Sequence, residues 1–264
     1  DQVAAIVPAL KEFAASNGVF LVKLESEILV SEKADKTLRS AGLIKVDNVQ
    51  PISSTVMLDL TPDIDTIMAN MPQKGRYAIR RAARDGVTVA EAPLTEENMR
   101  TMYKLLGATG DDAGFMIRTY DYYVSFWNEY ANRDQGKMFF AYVDGEVVAG
   151  AYTGWMGFKA WYKDGGSIRT QKRLPAPHLM QWTIMRDLKA EGFEAYDLGN
   201  VPDPENITAG AMEGLWHFKT GFNSTVDTYM PAFEYPLNSK QKLWNKFETK
   251  FLGLYSRLRK DYWY

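Results

Sequence analysis

The chain has 264 residues, with 31 Lys and Arg against 33 Asp and Glu, so no overall basic field marks it as a nucleic-acid binder. Hydrophobic residues at 46% and charged residues at 24% are the balance of an ordinary globular protein, long enough for one large or two medium domains. Cysteine is absent, which excludes disulfides, thiol nucleophiles and thiolate metal sites and fits a reducing compartment.

Residues 2–16 repeat apolar positions at Val3, Ile6, Val7, Leu10 and Phe13, a helical stripe that Asn17-Gly18 ends. VFLVKL (19–24) follows as a buried strand, and DKTLRSAG (35–42) as a short helix stopping at Gly42. STVMLDL (54–60) is a strand. Thr61 then caps a helix with Pro62 in its first turn, and another helix runs from Gln73 to Asp85, ending at Gly86. From Val87 the order becomes informative. VTVAEA (87–92) is a strand, and residues 95–107 and 119–132 are two helices. Three strands follow at 137–143, 146–156 and 158–166, the first two joined by an Asp144-Gly145 turn. Residues 177–192 form an amphipathic helix stopped by Gly192, 194–199 a strand, 209–221 a helix and 225–237 an extended segment.

The last helix, from Ser239, carries the apolar stripe Leu243, Phe247, Phe251, Leu254 and Leu258, expected to face the core. Its seven Lys or Arg between Lys240 and Lys260, against one Glu, with Trp244 nearby, also offer a face for anionic lipid. No run of about 18 apolar residues exists to span a bilayer, and no signal peptide is visible. The chain opens at Asp1 inside a helical pattern, so an upstream segment is expected.

The order from Val87 onward, β-α-α-β-β-β-α-β-α-β, is that of the GCN5-related N-acetyltransferase (GNAT) fold, with 87–237 as one complete copy. That fold holds the coenzyme A pyrophosphate on backbone N–H groups, in a Gln/Arg-x-x-Gly-x-Gly/Ala turn before a helix. Here the turn is RTQKRLPAPHLM (169–180): Leu174 stands at the first glycine, and Pro175 and Pro177 each remove a donor. The order predicts acyl transfer, and the loop predicts a donor other than coenzyme A.

Four stretches together resemble the FemABX family of aminoacyl-tRNA-dependent transferases that build peptidoglycan cross-bridges. They are KGRYAIRRAARDGVTV (74–89), GFMIRTYDYYVSFW (114–127), LMQWTIMRDLKAEGFEAYDLGN (179–200) and FKTGFNSTVDTYM (218–230). The resemblance implies an α/β chain of α+β type with two GNAT-like domains. The first, residues 1–86 completed by the helix at 238–264, would lack its opening strands; the second is 87–237. The family's long helical-hairpin arm is not found here. The implied reaction moves an amino acid (Gly, Ala or Ser) from aminoacyl-tRNA to an amine on the stem peptide of lipid II or UDP-MurNAc-pentapeptide. No metal or organic cofactor is implied. The implied place is the cytoplasm, with peripheral contact at the inner membrane face.

The same resemblance distributes the roles. Lys219 corresponds to the family's Phe-Lys lysine, a cation for the oxyanion or the tRNA end; taken alone it is a solvated lysine at a helix end. Phe218 would stack on the terminal adenine, or else pack in the core. Arg118 and Tyr122, four apart, would grip the precursor's phosphates from one helix face if the helix begins early; a cap arginine and a core tyrosine are the plain alternative. Tyr162 lies where this fold opens its cleft and would bond the acceptor peptide, with cross-strand packing as its alternative. Asp197 would take a proton or orient the amine, or simply hold a strand end. Arg76, Arg80, Arg81 and Arg84, with Lys74 ahead, offer guanidiniums to tRNA or precursor phosphates, or make a solvated face. His178 is taken as structural, and His217 as a surface residue or proton relay. The rival readings are a GNAT-type N-acyltransferase with another acyl donor and a non-catalytic partner in wall assembly.

Overall fold

The computed structural model describes residues 2–49, 53–114, 116–168, 173–202 and 210–259. In chain order they form α1 (Gln2–Ser16), β1 (Leu21–Leu24), α2 (Glu32–Ser40), β2 (Ile44–Lys45), β3 (Ser54–Asp59), α3 (Ile64–Asn70), α4 (Gln73–Arg84), β4 (Thr88–Ala92), α5 (Glu96–Ala113), α6 (Tyr120–Ala131), β5 (Gly136–Val143), β6 (Glu146–Met156), β7 (Lys159–Ser167), α7 (Ala176–Ala190), β8 (Ala195–Val201), α8 (Ala211–Thr220), β9 (Asp227–Thr228), β10 (Phe233–Pro236) and α9 (Lys240–Arg259). No helix among the described residues is long and apolar enough to cross a membrane.

The contacts divide the chain into Thr55–Val226 and a second unit made of Asp1–Ser54 with Asp227–Tyr264. The larger unit is built on a sheet in which β4-β5-β6-β7-β8-β3 are successive neighbours. β4 through β7 are antiparallel, and β7 pairs with β8 in parallel. Strand β5 shows why two layers of helix form. Met138 and Phe140 pack with Met102, Leu105 and Trp127 of α5 and α6, while Phe139 and Ala141 pack with Met180 and Ile184 of α7. Alternation along a strand sends successive side chains to opposite faces, so KMFFAYV feeds two cores at once. The β5–β6 hairpin turns on Asp144 and Gly145, with φ of 52° and 86°, the doubly positive pair that a two-residue turn needs.

Two boundaries differ from the sequence reading. β3 belongs to the sheet beside β8, so the larger unit starts at Thr55 and the division drawn at 86/87 falls inside it. α3 is capped by Asp63, whose carboxylate accepts from the Thr66 amide at 2.8 Å. The Thr61 hydroxyl and amide are already donated to Asp59, so Thr61 is not the cap.

In the smaller unit β10 pairs antiparallel with both β1 and β2, over a core of Val7, Leu38, Leu43, Met230 and Phe233. β10 is thus part of this sheet rather than a closing strand of 87–237. α9 turns its polar side inward: Gln241 and Asn245 donate to the buried Glu234, and Lys23 bridges Glu234 and Glu248. Leu243, Phe247, Leu254 and Leu258 are exposed and Phe251 is half-buried. The expected core-facing stripe is therefore overturned, because the buried carboxylate of Glu234 takes the helix's amides.

Candidate functional site: a lysine in the parting of two strands

β7 and β8 pair from Lys159↔Ala195 to Trp161↔Asp197 and no further. Beyond that register each strand has a local reason to leave. β7 carries a bulge: Tyr152 of β6 faces Asp164 and Thr153 faces Tyr162, skipping Lys163. Tyr162 is thereby turned toward the α7 face, and Asp164 toward α6, where it accepts from the Trp127 indole at 2.9 Å. β8 turns at Gly199, whose φ of 73° is a left-handed value that glycine adopts without strain.

Lys219 enters this parting from the last turn of α8. Its Nζ donates to the Asn200 carbonyl of β8 at 2.8 Å and lies 5.9 Å from the centre of the Tyr162 ring. What holds α8 there is a backbone contact. Gly75 at the start of α4 lies so close to Gly221 that a Cβ on it would sit 1.9 Å from the Gly221 carbonyl oxygen. Phe222, next in sequence, is buried in the core. The glycines of KGRY and KTGF are thus the two sides of one contact.

Lys219 is only 6% exposed. Burial pushes its pKa down to about 8, and the charge of Asp197 works against that fall. Asp197 is itself committed. Its carboxylate accepts from the Thr55 hydroxyl and from the Gly199 amide, the latter at 2.8 Å, and lies 3.5 Å from Lys159 Nζ. It braces the turn that parts the strands and supplies the negative charge nearest to Lys219.

Phe218, half-buried, packs edge-on to His178 and Phe222 at 5.0 and 5.5 Å. His178 is pushed down to about 4 by burial, so it is neutral near pH 7, and its Nδ1 has no hydrogen-bond partner among the described residues. Lys219, Tyr162 and Asp197 therefore meet at the parting of β7 and β8, with Phe218 beside Lys219 on α8. At the start of α7, Pro177 has no N–H, the His178 amide is donated to Pro175, and Leu174 is half-buried. These residues do not fit a pyrophosphate cradle for coenzyme A. His217 is exposed, with Glu213 at 3.7 Å.

Arg118 and Tyr122 also meet, though not as residues of one helix. α6 begins at Tyr120, so Arg118 precedes it and lays its guanidinium over the Tyr122 ring at 4.5 Å. The basic residues of α4 divide. Arg76 donates to the carbonyls of Ala69 and Met71 at the end of α3, at 2.7 and 2.5 Å. Arg81 and Arg84 pair with Asp85, whereas Arg80 and Lys74 are exposed. Sequence reasoning missed Thr55, Lys159, Asn200 and Gln181, which surround the cleft. Gln181 and Asn200 lie inside the stretch 179–200 that carries the resemblance, but neither has a local signal that singles it out.

The family model for the acetyltransferase (GNAT) domain matches residues 70–213. Lipid II:glycine glycyltransferases of Staphylococcus aureus are 20% identical to the chain over 313 residues, spanning 89% of it and 73% of their own length. Among solved structures, a crystal structure of FemX superposes with a TM-score of 0.80 at 18% identity, covering 93% of this chain and 79% of that one. The C-terminal domain of a putative lysylphosphatidylglycerol synthetase from Agrobacterium fabrum follows at a TM-score of 0.54 and 17% identity, over 96% and 79%. The chain belongs to the acetyltransferase (GNAT) domain family, and its likeness to FemX runs over nearly its whole length.

Proposed function

We propose that this protein transfers an amino acid (Gly, Ala or Ser) from aminoacyl-tRNA to an amine of the peptidoglycan stem peptide, on lipid II or its nucleotide-linked precursor. The observation that carries the reading is the Lys219 ammonium held in the parting of β7 and β8 beside Tyr162. It is a fixed, largely desolvated cation where an ester carbonyl would build negative charge. Such a group gains strength when water is excluded and needs no reorganisation during reaction.

The acceptor amine attacks the ester carbonyl, forming the amide C–N bond and breaking the ester C–O bond. The amine proton leaves, and the released ribose oxygen ends as a hydroxyl. Lys219 stabilises the oxyanion between these events. Asp197 acts through its charge, favouring the protonated lysine, since its oxygens already serve Thr55 and Gly199. Phe218 offers a face to the terminal base, and Tyr162 bonds the acceptor peptide. Arg118 with Tyr122 receives precursor phosphate. On α4 the phosphate contact falls to Arg80, because Arg76 is spent on the end of α3. Support for the substrates comes from the glycyltransferase relatives, whose name states lipid II and glycine. The inner membrane face is the place where a lipid-linked acceptor would be met.

The test is transfer of labelled Gly, Ala and Ser from charged tRNA to a UDP-linked muropeptide and to lipid II. Transfer of one amino acid identifies the donor and acceptor together. No transfer from any charged tRNA to either acceptor overturns the proposal.

A further inference from the structure

Beside Tyr162 lies a polar cluster that the reaction above does not use. Gln181 of α7 and Thr153 of β6 are both 0% exposed, inside an otherwise apolar core. The Tyr196 hydroxyl donates to Gln181 Oε1 at 2.7 Å. Among the described residues Gln181 Nε2 and Thr153 Oγ1 make no close hydrogen bond, yet each lies near a phenol, Gln181 by that of Tyr162 and Thr153 by that of Tyr196. Thr153 is the cross-strand neighbour of Tyr162, on the register next to the β7 bulge. Tyr162 is itself tightly seated: a Cβ on Gly165 would lie 1.4 Å from its hydroxyl. Of the side chains around the Tyr162 phenol, Gln181 is the one that favours its ionised form, against burial and the charge of Asp164. An amide donor left unmet in a core costs the full loss of its hydration. A glutamine that only filled space would be replaced at no loss by an apolar residue of the same shape.

We propose that Gln181 is a positioning residue for the cleft: its amide nitrogen serves the Tyr162 hydroxyl, directly or through one buried water shared with Thr153, and so fixes the ring that faces Lys219. Oε1 is held by Tyr196, which sets the amide's orientation and leaves Nε2 for this task. A water there would have four polar neighbours in Gln181, Thr153, Tyr162 and Tyr196, within the number such waters need. The inference rests on the reading of the Lys219 cleft as the reacting centre, and its test separates the two.

The experiment is a double-mutant cycle with Gln181→Met, Tyr162→Phe and the pair, read in two ways. The first reading is the 13C resonance of the Tyr162 ring in tyrosine-labelled protein, assigned by its loss in Tyr162→Phe. It needs no substrate and is expected to move in Gln181→Met. The second is the kinetics of transfer to the muropeptide. Gln181→Met is expected to raise the acceptor KM about tenfold with kcat within about twofold, and to add nothing to Tyr162→Phe. Gln181→Leu also removes the amide donor at similar volume; it is the variant to use if Gln181→Met does not fold, with the same changes expected. An unmoved Tyr162 resonance, or KM effects that simply add, overturns the proposal. A shifted resonance in a protein without transfer activity supports the Gln181–Tyr162 link and counts only against the proposed reaction.

Discussion

Two cations of the larger unit stand in opposite surroundings. Lys219 is buried in the parting of β7 and β8, bonded to one backbone carbonyl, with its pKa lowered to about 8. Arg118 is half-buried ahead of α6, stacked on Tyr122, a residue 36% exposed. A buried ammonium is worth most where charge develops during reaction, because little water screens it. A partly exposed guanidinium on an aromatic face is suited to receive a phosphate that stays charged throughout. The contrast separates chemistry from grip: kcat should answer to Lys219, and KM to Arg118.

The largest effect should come from Lys219→Met. Loss of one preorganised oxyanion donor costs about 100- to 1,000-fold in kcat, and single-turnover transfer measures it. Gly75→Ala comes next. The new methyl group meets the Gly221 carbonyl, which cannot yield without moving α8, so a loss of about 1–3 kcal/mol or more is expected in chemical denaturation. Activity should fall with it, since α8 carries Lys219. Arg118→Ala should raise the KM for the acceptor about tenfold and leave kcat nearly unchanged, as expected for loss of a charge-assisted hydrogen bond. Arg80→Ala, on an exposed face, should change stability by less than about 0.5 kcal/mol and weaken tRNA binding only at low salt. Equal kcat losses in Lys219→Met and Arg118→Ala would erase the comparison.

The pH dependence of folding sharpens it further. Lys219 has a folded pKa of about 8 against 10.5 for the ordinary group. Between those values the unfolded chain binds one more proton, so stability should rise with pH across that window. The gain relative to Lys219→Met should be on the order of 3 kcal/mol, complete above the upper value and absent below the lower. Arg118→Ala should leave this rise intact.

Much of the larger unit was legible in the chain because its elements obey local rules. The period-2 pattern of KMFFAYV, the Asp144-Gly145 turn and the glycines after α4 and α7 each mark an element without tertiary help. The cleft was legible only in part. Lys219 meets Tyr162 and the charge of Asp197 at the parting of β7 and β8, a juxtaposition that no single stretch of sequence displays. Thr55, Lys159 and Gln181 come from three distant elements: sheet order brings the first two beside Asp197, and the packing of α7 on the sheet brings Gln181 to Tyr196. The placement of β3 next to β8 is a long-range pairing that no window of sequence contains. α9 was misread for a related reason: its apolar stripe obeys the helical period, yet the buried carboxylate of Glu234 draws the polar side inward. The site at Arg118 was displaced by one cap, since α6 starts at Tyr120 and the helix-face argument needed an earlier start.

The most direct test of the central claim is the single-turnover rate of transfer by wild type and Lys219→Met across the pH range in which Lys219 titrates. The account predicts a wild-type rate that loses its lysine-dependent advantage as pH rises through about 8, and a mutant that is slower below that pH, shows no such loss and meets the wild-type rate above it. A mutant with the rate and pH profile of the wild type would contradict it.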